Sequence, residues 1–105
     1  MTKGRIVNMR LGFIGLGNMA TAMIGGIIRN CVVEPSDIYG VDVVKAANER
    51  AAENLKIQIA GGNCELARTA DVIVLSVKPQ FYEEVIAEIR NEITRDKCVI
   101  TIAPG

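Results

Sequence analysis

The chain has 105 residues, of which 50% are hydrophobic and 23% are charged, and its formal net charge is zero. This length and balance indicate one folded domain with a modest aliphatic core and argue against a disordered chain. The sequence has no run of basic residues, so nothing in it indicates a nucleic-acid partner. Glycines and Asn18 interrupt the apolar stretch after Met9, so we expect no signal peptide or membrane span there and, by default, a cytoplasmic protein.

The sequence has few residues of the types that commonly act in catalysis or bind metals. The sequence has no histidine and three cysteines, Cys31, Cys64 and Cys98, which form no CxxC pair. We expect small buried or half-buried thiols and no metal site, because widely spaced cysteines without histidine are a poor ligand set. The commonest general acid–base group is missing, and no nucleophile–base or carboxylate pair is apparent, so we predict no catalytic residue in this stretch.

Segments typical of strands and helices alternate along the chain. Residues 1–8 are expected to form an extension and residues 9–105 a single domain. The predicted strands are residues 11–15, 38–42, 56–60, 71–77 and 98–102, and the predicted helices are residues 19–29, 43–55, 65–69 and a segment beginning at Pro79. This order indicates an α/β fold of the Rossmann type, a three-layer sandwich around a parallel sheet with strand order 3-2-1-4-5.

Two of the predicted helices have distinctive composition. Gly25 and Gly26 weaken the first helix by about 1 kcal/mol each, so we expect them where the helix closely approaches the sheet or a ligand. The last helix has an apolar face formed by Phe81, Val85, Ile86 and Ile89. The glutamates of the same segment are interpreted as solvated surface, namely Glu83, Glu84, Glu88 and Glu92.

A glycine-rich turn joins the first predicted strand to the first helix. Residues 15–20 match the pattern GxGxxG/A at the strand–helix junction that dinucleotide binding requires. Gly15 permits the tight turn, Gly17 lets the backbone approach a pyrophosphate, and Ala20 is small where helix meets strand. The helix N-terminus would direct free N–H groups at the phosphates. The alternative is a glycine turn without a ligand.

Other strand ends provide further candidates for the same crevice. Asp42 ends the second strand, where a carboxylate binds the adenosine ribose and favours NAD over NADP; its alternative is a solvated helix cap. Lys78 and Pro79 follow the fourth strand near the expected ligand, or are an ordinary lysine with proline at the first position of a helix. Asn63 is either a contact on the adenine side or a helix N-cap.

Several of these strings together resemble one family, the pyrroline-5-carboxylate reductases. The resemblance is carried by residues 13–20, by Ile24-Gly25-Gly26, by Gly62-Asn63, by Leu75-Ser76-Val77-Lys78-Pro79-Gln80 and by residues 100–105. It extends from about Met9 to the end of the chain and implies reduction of 1-pyrroline-5-carboxylate to L-proline, in proline biosynthesis, by hydride transfer from NAD(P)H. The implied cofactor contacts are Ile14, Gly15, Leu16, Gly17, Asn18, Met19, Asp42, Asn63, Ser76, Val77, Lys78, Pro79, Ile102, Ala103 and Pro104.

Two residues depart from the family pattern. Members often have a small hydroxyl residue in place of Asp42, and many prefer NADPH, so the choice between NADH and NADPH stays open. Pro104 replaces an alanine that is common at its position, which leaves the geometry of that loop open.

The resemblance also implies a second, helical domain after the Rossmann domain, which forms a homo-oligomer and most of the substrate pocket. That domain is not among these 105 residues. We therefore expect a fragment that binds cofactor with little or no turnover, and a full-length protein with a small-molecule substrate and no nucleic-acid or membrane partner. Two alternatives remain: the N-terminal domain of a β-hydroxyacid dehydrogenase, whose first turn is similar, and a stand-alone dinucleotide-binding regulatory module.

Overall fold

Five parallel strands form the central sheet of the computed structural model, which describes residues 9–102. The strands are β1 (Leu11–Ile14), β2 (Ile38–Val41), β3 (Gln58–Ile59), β4 (Val72–Leu75) and β5 (Cys98–Thr101). The helices are α1 (Asn18–Arg29), α2 (Lys45–Leu55), α3 (Asn63–Thr69) and α4 (Tyr82–Ile89), and short 3₁₀ turns occur at Pro35–Asp37, Pro79–Phe81 and Arg90–Glu92. The extension predicted for residues 1–8 lies outside the described residues.

The strand order is β3-β2-β1-β4-β5 with parallel pairing throughout, which confirms the predicted sheet. β1 lies in the middle, with Phe13 opposite Gly40 of β2 on one side and Val74 of β4 on the other. Because all strands run in one direction, the turns after β1, β2 and β4 lie side by side at one edge of the sheet. Ligands of open parallel sheets bind at this edge.

Two hydrophobic clusters cover the two faces of the sheet. Successive residues of a strand face opposite sides, so neighbouring residues of β1 enter different clusters. Phe13 is fully buried in a cluster with Ile24 of α1 and Ala51 of α2. Ile14 packs in the other cluster with residues of α3 and α4, such as Leu66. The sheet is therefore the middle of the three predicted layers, and aliphatic side chains supply most of both cores.

Element boundaries differ from the predicted ones, most clearly at α2. The sequence predicts a helix from residue 43, but α2 begins at Lys45 and the two preceding valines are exposed. Val44 N–H donates to the Asp42 carboxylate at 2.9 Å, which holds these residues in a turn before the helix. β4 is also shorter than predicted: it ends at Leu75 because Ser76 leaves the strand and its hydroxyl donates to the neighbouring turn.

The expectation that α1 closely approaches the sheet at Gly25 and Gly26 is wrong. A Cβ at Gly25 would meet only the Arg29 guanidinium, at 3.2 Å, and one at Gly26 would meet it at 3.8 Å. The close approach between sheet and helix lies at Gly12 instead. A Cβ there would be 2.7 Å from Leu66 Cδ2, so α3 rests directly on β1.

The expectation of buried thiols is wrong for two cysteines. Cys64 is half-buried, whereas Cys31 and Cys98 are exposed. Cys31 follows the end of α1 with a φ of 55°, and Cys98 begins β5, whose residues are all exposed. Within residues 9–102 no group of three or more potential metal-binding side chains occurs.

The predicted apolar face of the last helix is only half correct. Val85 and Ile89 are buried, but Phe81 and Ile86 are exposed. Phe81 belongs to the 3₁₀ turn that precedes α4, so the helical spacing does not apply to it. Across the described part of the chain, no helix is long and apolar enough to span a bilayer.

Gly12 and Gly26 provide a stability test of this packing. Gly12→Ala is expected to lower the free energy of unfolding by about 1–3 kcal/mol, because the added methyl overpacks the contact with Leu66. Gly26→Ala, whose methyl group would meet only the Arg29 guanidinium at an ordinary contact distance of 3.8 Å, is expected to raise it by about 0.5–1 kcal/mol. Urea unfolding followed by circular dichroism measures both. An unchanged midpoint for Gly12→Ala would contradict the packing of α3 on β1.

Candidate functional site

The turn after β1 can form only with glycine at residue 15. Gly15 has a φ of +102°, and a Cβ there would lie 2.9 Å from the backbone carbon and oxygen of Ser76. Its N–H donates to the carbonyl of Val41 at 2.8 Å. The turn is thus fitted between the ends of β2 and β4, which bears out the tight turn predicted from the glycine pattern.

Ser76 holds this turn from the β4 side. Its Oγ lies 3.0 Å from the carbonyl oxygen of Ile14 and 2.7 Å from that of Gly15, so the hydroxyl donates to the turn. Its N–H also donates to Ile14 O at 2.9 Å. A predicted site residue therefore acts as a support of the glycine turn.

Asp42 holds the same turn from the β2 side. Its Oδ2 accepts a hydrogen bond from Leu16 N–H at 2.7 Å, and its Oδ1 accepts one from Val44 N–H. Asn48 fixes the backbone of Asp42 through two hydrogen bonds, at 2.8 and 2.9 Å. Asp42 is not the cap of the following helix, which was its alternative role, since the N-cap of α2 is Val44. The carboxylate instead joins two strand ends while facing the crevice.

The N-terminus of α1 is open. Gly17 is its N-cap and provides no side-chain hydrogen bond, and nothing within the described residues lies within 4 Å of a Cβ built at Gly17. The first N–H groups of a helix have no partner inside the helix, so these groups face the open space. Asn18 and Met19 are exposed beside it, whereas the Leu16 side chain is buried and leaves only its backbone at the turn.

A cleft of about 320 Å³ lies beyond the ends of β1, β2 and β4. Its lining residues come from the turns after four strands and from the segment 81–88: Ile14, Gly15, Val41, Asp42, Val43, Asn63, Val77, Phe81, Glu84, Val85 and Glu88. Five of them are predicted site residues, namely Ile14, Gly15, Asp42, Asn63 and Val77. The cleft lies at the edge of the sheet where ligands of this architecture bind.

Asn63 lies in the cleft and is not a helix cap. It is the first residue of α3, and the N-cap is Gly62. Its Nδ2 donates to Glu88 Oε1 at 2.9 Å, and the neighbouring Cys64 Sγ donates to the Glu88 carbonyl. These contacts hold α4 against the beginning of α3 and so fix the far wall of the cleft.

The remaining predicted residues lie beside the cleft rather than in it. Lys78 and Pro79 are exposed where the 3₁₀ turn before α4 begins, the proline at its first position. Ile102 is half-buried; its N–H donates to Leu75 O at 3.1 Å, and its carbonyl accepts a hydrogen bond from the Tyr82 hydroxyl. Ala103 and Pro104 lie outside the described residues.

Sequence reasoning missed several residues of the cleft. Val43 is 98% exposed and Phe81 45% exposed, so two large apolar side chains flank the cleft and no residue of the described range 9–102 covers them. Glu84 and Glu88 were expected on solvated surface and are exposed, yet they line the cleft. Their spacing of one helical turn predicts that they share a face of α4, but it does not say whether that face borders solvent or a cleft.

The parallel sheet, its strand order and the supported glycine turn define a dinucleotide-binding domain of the Rossmann type. Residues 10–105 match the family described as NADP oxidoreductase coenzyme F420-dependent, and the chain belongs to this family.

Individual relatives are pyrroline-5-carboxylate reductases. The chain is 37% identical over 98 residues to that of Methanosarcina acetivorans, covering 93% of this chain and 36% of the relative. It is 35% identical to that of Glycine max, covering 90% of this chain and 35% of the relative. This chain therefore spans little more than a third of the length of these curated relatives.

Solved structures agree with these matches. The reductase of Coxiella burnetii is similar with a TM-score of 0.84 and 31% identity, over 92% of this chain and 36% of that one. The Plasmodium falciparum pyrroline carboxylate reductase with NADP bound has a TM-score of 0.78 and 30% identity, over 91% of this chain and 34% of that one. A Mycobacterium tuberculosis 3-hydroxyisobutyrate dehydrogenase, at 19% identity, shares the fold.

Removing the Ser76 hydroxyl tests the support of the turn. Ser76→Ala is expected to lower the free energy of unfolding by about 1 kcal/mol, because the hydrogen bond to the turn carbonyls is lost. Ser36→Ala, in the exposed turn before β2, is the matched control and should change it by less than about 0.5 kcal/mol. Chemical denaturation compares the two, and equal effects would contradict the role of Ser76.

Proposed function

We propose that this chain is the cofactor-binding part of a pyrroline-5-carboxylate reductase, which reduces 1-pyrroline-5-carboxylate to L-proline with NADH or NADPH. Membership of an oxidoreductase family and similarity to reductases over nine-tenths of the chain support this proposal. The β-hydroxyacid dehydrogenase alternative has only a shared fold in its favour, at 19% identity.

The observation that carries the proposal is the open N-terminus of α1. A ligand phosphate needs donors and the absence of a side chain that would obstruct its approach. Gly17 meets both requirements, since a Cβ there would enter open space and no side chain caps the helix. The residues present therefore fit a dinucleotide pyrophosphate.

The other parts of the cofactor have matching surroundings. We assign the adenine ring to the apolar pair Val43 and Phe81, and its ribose to Asp42, because flat rings bind to apolar surface and ribose hydroxyls to fixed acceptors. The nicotinamide end then extends past the turn towards Lys78 and the end of β5. Ile102 ends the described chain there.

The chain's contribution to the reaction is to bind and orient. When bound, NAD(P)H supplies the hydride that is added to the carbon of the C=N bond, a proton is added to the nitrogen, and NAD(P)⁺ is left. Ser76 and Asp42 fix the turn that holds the phosphates, and the Tyr82 hydroxyl fixes the Ile102 carbonyl. None of these 105 residues is a histidine, so any proton that this part of the protein supplies comes from another side chain or from water that it holds.

We also propose the wider setting of the protein. The substrate is a small molecule, and the protein is cytoplasmic with no nucleic-acid or membrane partner. Further residues of the full-length protein form the substrate pocket and a homo-oligomer. These proposals rest on the similarity to reductases that are almost three times as long as this chain.

Cofactor binding by the 105-residue chain is the first test. NADH or NADPH is expected to bind with an increase of nicotinamide fluorescence or a heat signal on titration. Gly17→Val should weaken that binding by at least about tenfold, because its side chain occupies the space assigned to the pyrophosphate. Gly26→Ala is the folded control and should bind normally. Unweakened binding by Gly17→Val would contradict the assigned phosphate site.

A chimera tests the reductase assignment. This chain replaces the matching N-terminal third of the Methanosarcina acetivorans enzyme, to which it is 37% identical. We expect NAD(P)H oxidation only after 1-pyrroline-5-carboxylate is added, because the surfaces that join the two parts should be compatible.

The control chimera carries the corresponding domain of the 3-hydroxyisobutyrate dehydrogenase, which shares the fold at low identity. It should bind cofactor without turnover. A folded chimera of this chain that binds cofactor yet reduces no faster than the control would contradict the reductase assignment.

A further inference from the structure

Three carboxylates surround one end of the cleft. Asp42 lies on one wall, after β2, and Glu84 and Glu88 lie on the opposite wall, one turn apart on α4. Among the described residues 9–102, those that line the cleft include no lysine or arginine. The end of the cleft next to β2 is therefore negative on both sides.

Two of these carboxylates are held in place. Both oxygens of Asp42 accept backbone N–H groups, from Leu16 at 2.7 Å and Val44 at 2.9 Å. Glu88 accepts the side-chain amide of Asn63 at 2.9 Å. Neither carboxylate can turn away from an incoming anion without losing hydrogen bonds.

Positive groups near this end lie outside the cleft. Lys45 begins α2 and is exposed, and Lys78 is exposed beyond β4; neither lines the cleft. Arg50 of α2 lines a separate hollow with Leu16 and Thr21. The N-terminal dipole of α2 would attract an anion, but α2 begins at Lys45 and none of its residues lines the cleft.

We propose that this cleft selects NAD(H) and rejects NADP(H), with Glu84 and Glu88 acting together with Asp42. This rests on the proposed function, since it assumes that the adenosine ribose lies beside Asp42. A 2′-hydroxyl can donate to a fixed carboxylate, whereas a 2′-phosphate adds about −1.5 to −2 charges between the two negative walls.

The experiment measures dissociation constants of the 105-residue chain for NADH and NADPH by titration calorimetry. We expect NADH to bind at least about tenfold more tightly at low ionic strength, because like charges across a binding site oppose binding. The preference should fall as salt is raised from about 0.01 M to 1 M, where the screening length shrinks from about 30 Å to 3 Å. ADP-ribose and its 2′-phosphate serve as a second pair that lacks nicotinamide.

Variants assign the effect to the named side chains. The double variant Glu84→Gln, Glu88→Gln keeps the hydrogen-bonding shape of α4 and should lower the NADH-over-NADPH ratio by about threefold or more. Glu83→Gln makes the same charge change on α4 outside the cleft and should leave the ratio unchanged. Asp42→Asn should lower the ratio further. Because Asp42→Asn also disturbs the turn, its result is used only if circular dichroism shows a folded chain. If that variant does not fold, the Glu84→Gln, Glu88→Gln double variant is the test of the proposal.

The possible failures are distinguishable. A folded chain that binds neither NADH nor NADPH would overturn the proposed cofactor site itself. Equal binding of the two, or tighter binding of NADPH, would overturn the proposed selectivity while leaving the cofactor site standing. A ratio unchanged by the glutamine pair would overturn the role of Glu84 and Glu88.

Discussion

The hydrogen bond from Leu16 N–H to the Asp42 carboxylate connects the turn after β1 to the end of β2. The second oxygen of Asp42 also holds the turn that delays the start of α2. The direction of α1, the open space at Gly17 and one wall of the cleft all follow from this arrangement. A carboxylate that lines the cleft thus also holds the turn in place, which links the shape of the turn to the charge of the cleft.

Sequence patterns were sufficient to predict the sheet and the tight turn at Gly15. Short apolar runs alternating with helical segments indicate a parallel sheet with right-handed crossovers, and the glycine turn favours the Rossmann strand order among the few arrangements that remain. The glycine turn was predictable because the φ of Gly15 is a local requirement. Contacts between distant segments were not predictable. Whether Glu84 faces solvent or a cleft depends on how α4 docks against α3, and no local pattern encodes this.

The mistaken expectations have a common origin. Two adjacent glycines in a helix, Gly25 and Gly26, suggest a close contact between helix and sheet. That contact is found instead at Gly12 in β1, against Leu66 of α3. Cys98 begins an apolar run that is typical of a buried strand, but β5 lies at the edge of the sheet, where its residues are exposed. In each case the residue type suggested a close contact or burial, and the position of its element in the fold decided the outcome.

The contact between Ser76 and Gly15 joins residues 61 positions apart. On the ribosome, the glycine turn emerges first but lacks this support until β4 has been made and has paired with β1. Pairings between such distant segments slow folding, because the intervening loop must close before they contribute. The glycine turn therefore gains its support only after β4 has formed, well after its own residues have been synthesised.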